Sequence, residues 1–244
     1  MDKIYAELNE IMKKAKNITF FGGAGVSTNS GLLDFRSKQG LYNLQTKYGR
    51  PYEEMLSFDY FEENTDTFYK FYKEFMIKPD VLPNNAHRAL ALFDEKYNNI
   101  NIVTQNIDNL HQLAGSKKVT EVHGSIYRNY CKKCFKRFDG IEPIIGVSGI
   151  PKCSCGGVIR PEVTLYGEGL DSGAWYDAVK AFSTAEVLII GGTSLNVYPA
   201  VNLIQYFRGK LLIIINKEKT KYDYIANYVF NEDIGEALEK ILKI

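Results

Sequence analysis

The sequence predicts an α/β protein in which a parallel sheet is interrupted by small helical and metal-binding insertions. Three short runs, at 100–104, 187–190 and 211–215, are rich in β-branched residues, as expected of strands covered by helices on both faces. Helical patterns alternate with these runs. Two segments do not fit the alternation and are expected to be insertions: 41–82, which is dense in Tyr and Phe, and 127–160, which holds all four cysteines.

The first elements form the order helix, strand, glycine turn. Residues 3–16 carry apolar side chains at helical spacing, and a strand is predicted at 18–21. The strand runs directly into the turn 22–25. Because Ser27 follows and serine is a favoured N-cap, a helix is predicted to begin after the turn. Further helical patterns lie at 86–97, 174–185 and 200–207.

Length, composition and charge exclude several classes of protein. With 244 residues, of which 45% are hydrophobic and 24% charged, the chain can form a large core and is not largely disordered. A net charge of +1 gives no general field for nucleic acid or an anionic membrane. No apolar run approaches the roughly 20 residues of a membrane span, and residues 1–7 are too polar for a signal peptide. We therefore expect a cytoplasmic protein with no membrane partner and no direct nucleic-acid partner.

The four cysteines have a spacing typical of zinc sites. Cys131-x-x-Cys134 is followed after eighteen residues by Cys153-x-Cys155, so the second pair is one residue shorter than in the usual pattern. In a reducing compartment such clustering favours a metal over disulfides. Four thiolates complete a tetrahedron and leave no open position, so the sequence predicts one structural Zn²⁺ held by Cys131, Cys134, Cys153 and Cys155.

The glycine turn by itself is a weak indication of function. Gly23-Ala24-Gly25 resembles half of a dinucleotide-binding fingerprint, in which small residues let the backbone approach a pyrophosphate. Thr28 stands where the third glycine would be, and no acidic residue follows at the usual distance. Nucleotide binding and a plain tight turn both fit this pattern.

Polar segments also follow two later strands, at 104–108 and 191–195. Because the carboxyl ends of parallel strands meet at one edge of the sheet, these segments are expected to converge with the glycine turn on one crevice. Each also has a purely structural interpretation. Asn106 and Asp108, or Thr193-Ser194, could cap a following helix.

Three histidines are available for acid–base chemistry. His123 is predicted to close a strand at 119–122, and Gly124 after it should leave the imidazole exposed. An unperturbed imidazole titrates near pH ~6.5 and can take a proton at neutral pH. By position alone, a structural role fits His123 equally well. His87 and His111 lie in helical patterns and are interpreted as structural.

Taken together, five separated motifs resemble those of the sirtuin family, in the same order and spacing along nearly the whole chain. They are the segments 23–36 and 104–108, His123-Gly124, the four cysteines and 192–195. The family consists of NAD-dependent protein lysine deacylases with a Rossmann-like domain, a small zinc domain and a cleft between them. The resemblance implies an enzyme that cleaves NAD to nicotinamide and transfers an acyl group from lysine to ADP-ribose, with NAD as cosubstrate and one structural Zn²⁺.

The resemblance also implies roles for single residues. His123 is expected to be the general base, and Asn106 to hold the nearby ribose and a water. Segments 163–168 and 192–198 are expected to clamp the substrate peptide as an extra strand. The implied NAD contacts are Ala24, Thr28, Phe35 and Arg36 at the phosphates and reactive sugar, Gln105, Ile107 and Asp108 at the nicotinamide end, and Thr193, Ser194, Asn216 and Ile234 at the adenosine end.

The same resemblance implies a discontinuous arrangement of domains. Residues 1–36, 84–126 and 161–244 are expected to form the Rossmann-like NAD-binding domain. Residues 37–83 would form the helical insertion of the small domain, and 127–160 its zinc-ribbon module.

Two departures from the family pattern affect the predicted activity. Leu32-Leu33 stands where the family usually has Ile-Pro, which is expected to leave the cofactor loop more mobile. Relatives that remove succinyl or malonyl groups carry Tyr-x-x-Arg, whereas the matching stretch here runs from Tyr72 to Phe75. Without the arginine an acyl carboxylate lacks its bidentate partner, so acetyl or longer apolar acyl groups are expected.

Two alternatives to a deacylase fit parts of the sequence. The same fold could act as an NAD glycohydrolase or a protein mono-ADP-ribosyltransferase, although neither activity needs a base such as His123. A zinc ribbon could instead bind nucleic acid through Lys132, Lys133, Lys136 and Arg137. The small net charge and the lack of a second basic cluster disfavour that interpretation. A monomer is the default expectation.

Overall fold

The computed structural model describes residues 2–34 and 48–244, which form one parallel and one antiparallel sheet with helices around them. The strands are β1 (Ile18–Gly22), β2 (Ile100–Thr104), β3 (Val119–Glu121), β4 (Gly124–Cys131), β5 (Arg137–Asp139), β6 (Ile159–Val163), β7 (Val187–Gly191), β8 (Leu211–Ile215) and β9 (Tyr228–Phe230). The α-helices are α1 (Asp2–Lys14), α2 (Tyr52–Met55), α3 (Phe58–Glu63), α4 (Thr65–Phe75), α5 (Asn85–Tyr97), α6 (Leu110–Leu113), α7 (Glu142–Ile145), α8 (Ser172–Thr184) and α9 (Ile234–Leu242). None of these helices has the length and apolar character that crossing a membrane requires.

The larger sheet has six parallel strands in the order β3-β2-β1-β7-β8-β9, which confirms the predicted fold class. Every residue of β1, β7 and β8 is buried, because helices cover both faces. Gly22 is in register with Thr104 of β2 and with Gly191 of β7, so the carboxyl ends of these three strands are level. The chain order reverses between β1 and β7. In open α/β sheets a crevice for ligands forms at such a point.

Separate apolar clusters cover the two faces of this sheet. On one face, Leu8 of α1, Leu90 of α5 and Leu238 of α9 pack against the strands. On the other face, Phe182 of α8 packs with Leu203 from the segment before β8. Burial of these helices on the sheet supplies the main hydrophobic stabilisation of this part of the molecule.

The two predicted insertions pack on each other through a third apolar cluster. Phe68 and Tyr69 of α4 belong to the same cluster as Ile159 at the start of β6. The Tyr69 hydroxyl also donates to the Ile159 carbonyl at 2.6 Å. The antiparallel sheet, in the order β5-β4-β6, extends past both ends of the predicted module 127–160. The division into domains therefore stays a prediction.

The helix predicted after the glycine turn is wrong for the residues that the structure describes. Two short 3₁₀ turns, Ala24–Val26 and Thr28–Ser30, follow β1 instead, and the Ser27 side chain caps neither of them. The Ser27 hydroxyl is turned instead toward the segment after β2, where it donates to Asp108 Oδ2 and its oxygen accepts from Asn106 Nδ2. The helical pattern at 200–207 also appears as 3₁₀ helix, over Ala200–Tyr206.

Candidate active site

The carboxyl ends of β1, β2 and β7 open into a cavity of about 880 Å³. The structure brings together at this cavity all predicted catalytic and NAD-binding residues that fall within its described part. These are Ala24, Thr28, Gln105, Asn106, Ile107, Asp108, His123, Thr193, Ser194, Asn216 and Ile234. Phe35 and Arg36 lie outside the described residues.

His123 stands two residues after β3 and is held on both sides by backbone contacts. Its Nδ1 lies 2.9 Å from the Gln105 carbonyl oxygen, and its own carbonyl accepts from the Thr164 N–H at 3.0 Å. Gly124 follows with φ +80°, and a Cβ there would collide with the Glu162 carbonyl. The imidazole is partly buried rather than exposed as predicted. The reason is that β4 turns back directly along β6 at this glycine.

The environment of His123 leaves one ring nitrogen free to accept a proton. Burial lowers the pKa of His123 below its ordinary value of 6.5, and the hydrogen bond to Gln105 offsets only part of this effect. The ring is therefore neutral at neutral pH. Because a carbonyl can only accept, Nδ1 carries the single proton and Nε2 keeps its lone pair.

Ser27 joins the glycine turn to the segment after β2. The buried hydroxyl donates to Asp108 Oδ2 at 2.6 Å and accepts from Asn106 Nδ2 at 3.0 Å. Since the hydroxyl has one proton and gives it to Asp108, His87 Nε2 at 3.4 Å must act as a donor to Ser27. Sequence reasoning missed this role and interpreted Ser27 as a helix cap. The residue type and its place after the turn are visible in the sequence, but its partners Asp108 and Asn106 lie far along the chain, and no local pattern points to them.

The two carboxylate oxygens of Asp108 have different partners, one at the start of α6 and one in the network around Ser27. Its Oδ1 accepts from the Leu110 N–H at 2.9 Å, so the capping interpretation holds for one oxygen, while Oδ2 accepts from Ser27. Burial raises the pKa of Asp108 above 3.8, and the hydrogen bonds from Ser27 and Leu110 oppose this rise. The Asn106 side chain caps none of the described helices and is turned toward Ser27, to whose hydroxyl Nδ2 donates.

Two histidines whose rings meet edge to face lie behind this network. His87 of α5 and His111 of α6 are both buried, and their ring centroids are 4.7 Å apart. Burial lowers the pKa of His87 to about 4, so its ring is neutral at physiological pH. His87 contacts Ser27, whereas neither ring nitrogen of His111 has a hydrogen-bond partner in the described part of the chain. The structural interpretation therefore suits His111 fully, and His87 also supports the site.

The opposite end of the cavity is built by residues after β7 and β8. Gln105 Nε2 donates to Thr193 Oγ1 at 3.1 Å, and the Thr193 N–H donates to Asn216 Oδ1 at 2.9 Å. Thr193 Oγ1 also accepts from the Leu195 N–H. Asn216 Nδ2 is buried and has no partner among the described residues. A buried donor of this kind fits a polar ligand such as NAD, whose ribose and phosphate oxygens can accept from it.

Segments 163–168 and 192–198, which are expected to bind a peptide, face the same cavity. Tyr166 is already paired through its backbone, since its N–H donates to Leu56 and its carbonyl accepts from Phe58. Among the described residues, the backbone groups of Gly167 and Asn196 have no hydrogen-bond partner. Both segments thus keep backbone groups that an added strand could pair with.

The stretch predicted to govern acyl preference also reaches the cavity. Tyr72 and Phe75 of α4 line it, and the Phe75 ring packs edge-on against Tyr52 at 5.6 Å. Lys73 turns away and donates to the carbonyls of Val147 and Gly149 at 2.6 and 2.8 Å. The part of this stretch that faces the cavity therefore contributes aromatic surface and no cation.

The four cysteines form a compact cluster between β4 and β6. All four sulfur atoms lie within 4.8 Å of one another, with Cys131 and Cys155 at 3.5 Å and Cys134 and Cys153 at 3.8 Å. These spacings fit a tetrahedron with Zn–S bonds of about 2.3 Å, whose edges are about 3.8 Å long. Although burial raises the pKa of Cys131, backbone N–H groups of Cys134 and Lys133 lower it to about 6. The cluster is consistent with a structural zinc site.

Comparisons with known proteins agree on one family. Residues 23–199 match the model described as the Sir2 family. The chain is 51% identical over 243 residues to an NAD-dependent protein deacetylase of Clostridium acetobutylicum, covering 99% of each chain. It is 49% identical over 244 residues to an NAD-dependent protein deacetylase of Clostridium perfringens, covering 99% of this chain and 100% of that protein.

Solved structures give the same result. A Sir2 complex with deacetylated p53 peptide and 3′-O-acetyl ADP ribose superimposes with a TM-score of 0.87 at 36% identity, covering 98% of this chain and 97% of that one. A Sir2 complex with p53 peptide and NAD⁺ gives a TM-score of 0.85 at 35% identity, covering 100% and 98%.

Proposed function

The chain belongs to the Sir2 family and is an NAD-dependent protein deacetylase, and on this premise we propose that His123 is the general base of its reaction. The overall reaction converts acyl-lysine, NAD and water into lysine, nicotinamide and O-acyl-ADP-ribose. NAD supplies the ribose carbon from which nicotinamide leaves and to which the acyl oxygen of the lysine becomes attached.

One observation carries the assignment of His123. Its Nδ1 is committed to the Gln105 carbonyl, so Nε2 is the free basic atom beside the cavity. After nicotinamide has left, Nε2 takes the proton of a ribose hydroxyl, and that oxygen attacks the acyl carbon. A positioned base contributes about 10²–10⁴-fold to such a step. Water then completes the release of lysine.

At the nicotinamide end, the network around Ser27 gives the ligand a fixed set of partners. We assign Asn106 to the ribose and a bound water, and Ile107 and Asp108 to the nicotinamide. Because Asp108 already accepts from Ser27 and the Leu110 N–H, its carboxylate is held in one orientation. An oriented carboxylate can accept from a carboxamide N–H without first losing side-chain entropy.

At the adenosine end, Asn216 offers an unpaired donor, and Thr193 is aligned by Gln105 and Asn216. We assign these residues, with Ser194 and Ile234, to the adenosine half of NAD. The assignment of the phosphates is supported by the cavity-lining positions of Ala24 and Thr28 at the end of β1. Phe35 and Arg36 retain the phosphate and sugar roles that the resemblance implies.

The substrate is proposed to bind as an extended peptide between 163–168 and 192–198. The backbone groups of Gly167 and Asn196, which no described residue pairs with, support this, because main-chain pairing binds an added strand with little dependence on its sequence. The aromatic lining at Tyr72 and Phe75 supports a preference for acetyl or longer apolar acyl groups over succinyl.

Zinc bound by the four cysteines would be structural, since it holds β4 and β6 together and has no open coordination position. The predicted division into a discontinuous NAD-binding domain and a small domain remains part of this proposal. We also propose that the protein acts as a monomer in the cytoplasm, without a membrane or nucleic-acid partner. The net charge of +1 supports the lack of a nucleic-acid or membrane partner, and four cysteines without a disulfide bond support a reducing compartment. Sedimentation tests the monomer, and salt-dependent DNA binding tests the lack of a nucleic-acid partner.

Mass spectrometry of an acetyl-lysine peptide incubated with and without NAD tests the proposed function. We expect NAD-dependent loss of acetyl and formation of O-acetyl-ADP-ribose, with poor turnover of the matching succinyl peptide. Release of plain or protein-linked ADP-ribose without deacylation would contradict the proposal. Efficient desuccinylation with slow deacetylation would contradict only the acyl preference.

A further inference from the structure

We propose that Arg160 is a positioning residue that sets the peptide-binding segment 163–168 in its binding conformation by way of Glu168. This inference rests on the proposed binding of the substrate peptide along that segment. Arg160 would thus affect the reaction without contacting NAD or the acyl group.

Arg160 is buried among aromatic rings rather than facing solvent. It lies in β6, and only 8% of its side chain is exposed. The guanidinium lies over the rings of Phe58 and Phe61 of α3, at 5.7 and 5.3 Å from their centroids. A buried cation requires a partner, because its removal from water is costly. That partner is Glu168, whose Oε2 pairs with Arg160 Nη2.

The same carboxylate oxygen closes the turn that the peptide is proposed to bind. Glu168 Oε2 accepts from the Leu165 N–H at 2.8 Å, and the Glu168 N–H donates to the Leu165 carbonyl at 3.0 Å. Arg160 Nη2 also lies 3.4 Å from the Val163 carbonyl oxygen. The ion pair therefore fixes both ends of the segment 163–168.

The backbone hydrogen bonds of segment 163–168 show which N–H and carbonyl groups remain available to a peptide. Within the segment, Leu165 is paired with Glu168, and Tyr166 is paired with the helical insertion. Among the groups left without a partner in the described part of the chain are the carbonyls of Thr164 and Glu168 and both backbone groups of Gly167. If the Glu168 carboxylate moves away, the Leu165 N–H loses its partner and the turn no longer presents the same groups.

The chain offers a matched control in a second arginine on the same sheet. Arg128 of β4 pairs with Glu162 of β6 at 3.1 Å and also with Glu121. Like Arg160 it is paired with carboxylates, but no hydrogen bond or ion pair joins it to 163–168 among the residues described. Arg128→Met should therefore remove an ion-pair network without changing peptide binding.

Steady-state kinetics with an acetyl-lysine peptide tests the inference. The peptide is varied at saturating NAD, and NAD at saturating peptide, for wild type, Arg160→Met, Arg160→Lys, Glu168→Gln and Arg128→Met. We expect Arg160→Met and Glu168→Gln to raise the KM for peptide about tenfold, as for loss of a hydrogen bond to a charged group. The KM for NAD should stay within about twofold, and Arg160→Lys should recover part of the peptide affinity.

The possible outcomes separate this inference from the proposed function. If circular dichroism shows that Arg160→Met is not folded, the inference is judged from Glu168→Gln. The glutamine amide oxygen can still accept from the Leu165 N–H, but it carries no charge to pair with Arg160. Three results, obtained with an active wild type, would overturn the inference but not the proposed function. The peptide KM of Glu168→Gln could be unchanged, its KM values for peptide and NAD could rise equally, or Arg128→Met could show the same rise in peptide KM. A wild type that does not deacetylate contradicts the proposed function and removes the premise of the inference.

Discussion

The two ring nitrogens of His123 have different environments, and this difference predicts the pH dependence of the reaction. Burial lowers the pKa of His123 below 6.5. Protonation consumes the Nε2 lone pair, so activity should fall as the pH is lowered, with the midpoint of this acidic limb below pH 6.5. Measurement of kcat/KM for the peptide between pH 5 and 9 checks this expectation. An acidic limb centred above pH 7 would show that His123 is not held neutral by burial.

Ser27 is the residue through which the turn after β1 acts on the nicotinamide end. Ser27→Ala leaves Asn106 Nδ2 without its acceptor and removes one hydrogen bond from Asp108. We expect kcat/KM for NAD to fall about tenfold, the usual cost of unpairing buried polar groups. Inhibition by nicotinamide should weaken in parallel. Ser183→Ala, on the exposed side of α8, is the control, and wild-type values for both variants would contradict the role of Ser27.

At the scale of single residues, the sequence pointed to the proposed base and to the polar strand ends, but not to the residues that support them. His123, Asn106 and Asp108 could be found because they follow strands or belong to a motif. Ser27 and Arg160 could not, because their partners lie far along the chain: Asp108 for Ser27, and the rings of α3 for Arg160. Such contacts are set by tertiary packing and leave no local pattern.

Among the elements, the shortened second cysteine pair depends on the glycine that follows it. A Cβ at Gly157 would lie 2.6 Å from Cys131 Sγ and 2.6 Å from Lys133 Cβ. Gly157→Ala should therefore push apart the two cysteine pairs, reduce the zinc bound per chain and lower the melting temperature by about 4 °C or more. Elemental analysis and thermal unfolding measure both effects.

Gly169 provides the control for this substitution, because a Cβ there would meet no atom of the described residues within 4 Å. Gly169→Ala should retain zinc and stability. Full zinc content and an unchanged melting temperature in Gly157→Ala would show that the cysteine pairs tolerate the added methyl group.

The sequence predicts well those elements whose conformation follows from the pattern of their own side chains. The strands β1, β7 and β8 are buried at every position, so their apolar runs are unambiguous. The turn after β1 is different, because its conformation depends on Ser27 bonding to Asp108 and on the Gly25 N–H donating to the Gly192 carbonyl. Local capping rules predict a helix there, and these long-range bonds replace it.

In the whole molecule, the cavity lies where the large sheet meets the small unit that carries the cysteines. The segment 163–168 continues from β6 of that unit and is bonded to α3 through Phe58 and Tyr166. The segment proposed to bind the peptide thus depends on the packing of the small unit, while the residues proposed to bind NAD are positioned by the large sheet. The sequence predicted both parts but could not show that the two insertions share one apolar cluster.

The most direct test of the account compares two partial reactions in the His123→Ala variant. Exchange of labelled nicotinamide into NAD, with acetyl peptide present, reports the step before the base acts, and release of deacetylated peptide reports the steps after it. The account predicts that exchange is retained within about tenfold, while deacetylation falls by about 10²–10⁴-fold. Deacetylation near the wild-type rate, or equal loss of both reactions in a folded variant, would contradict the assignment of His123 as the base.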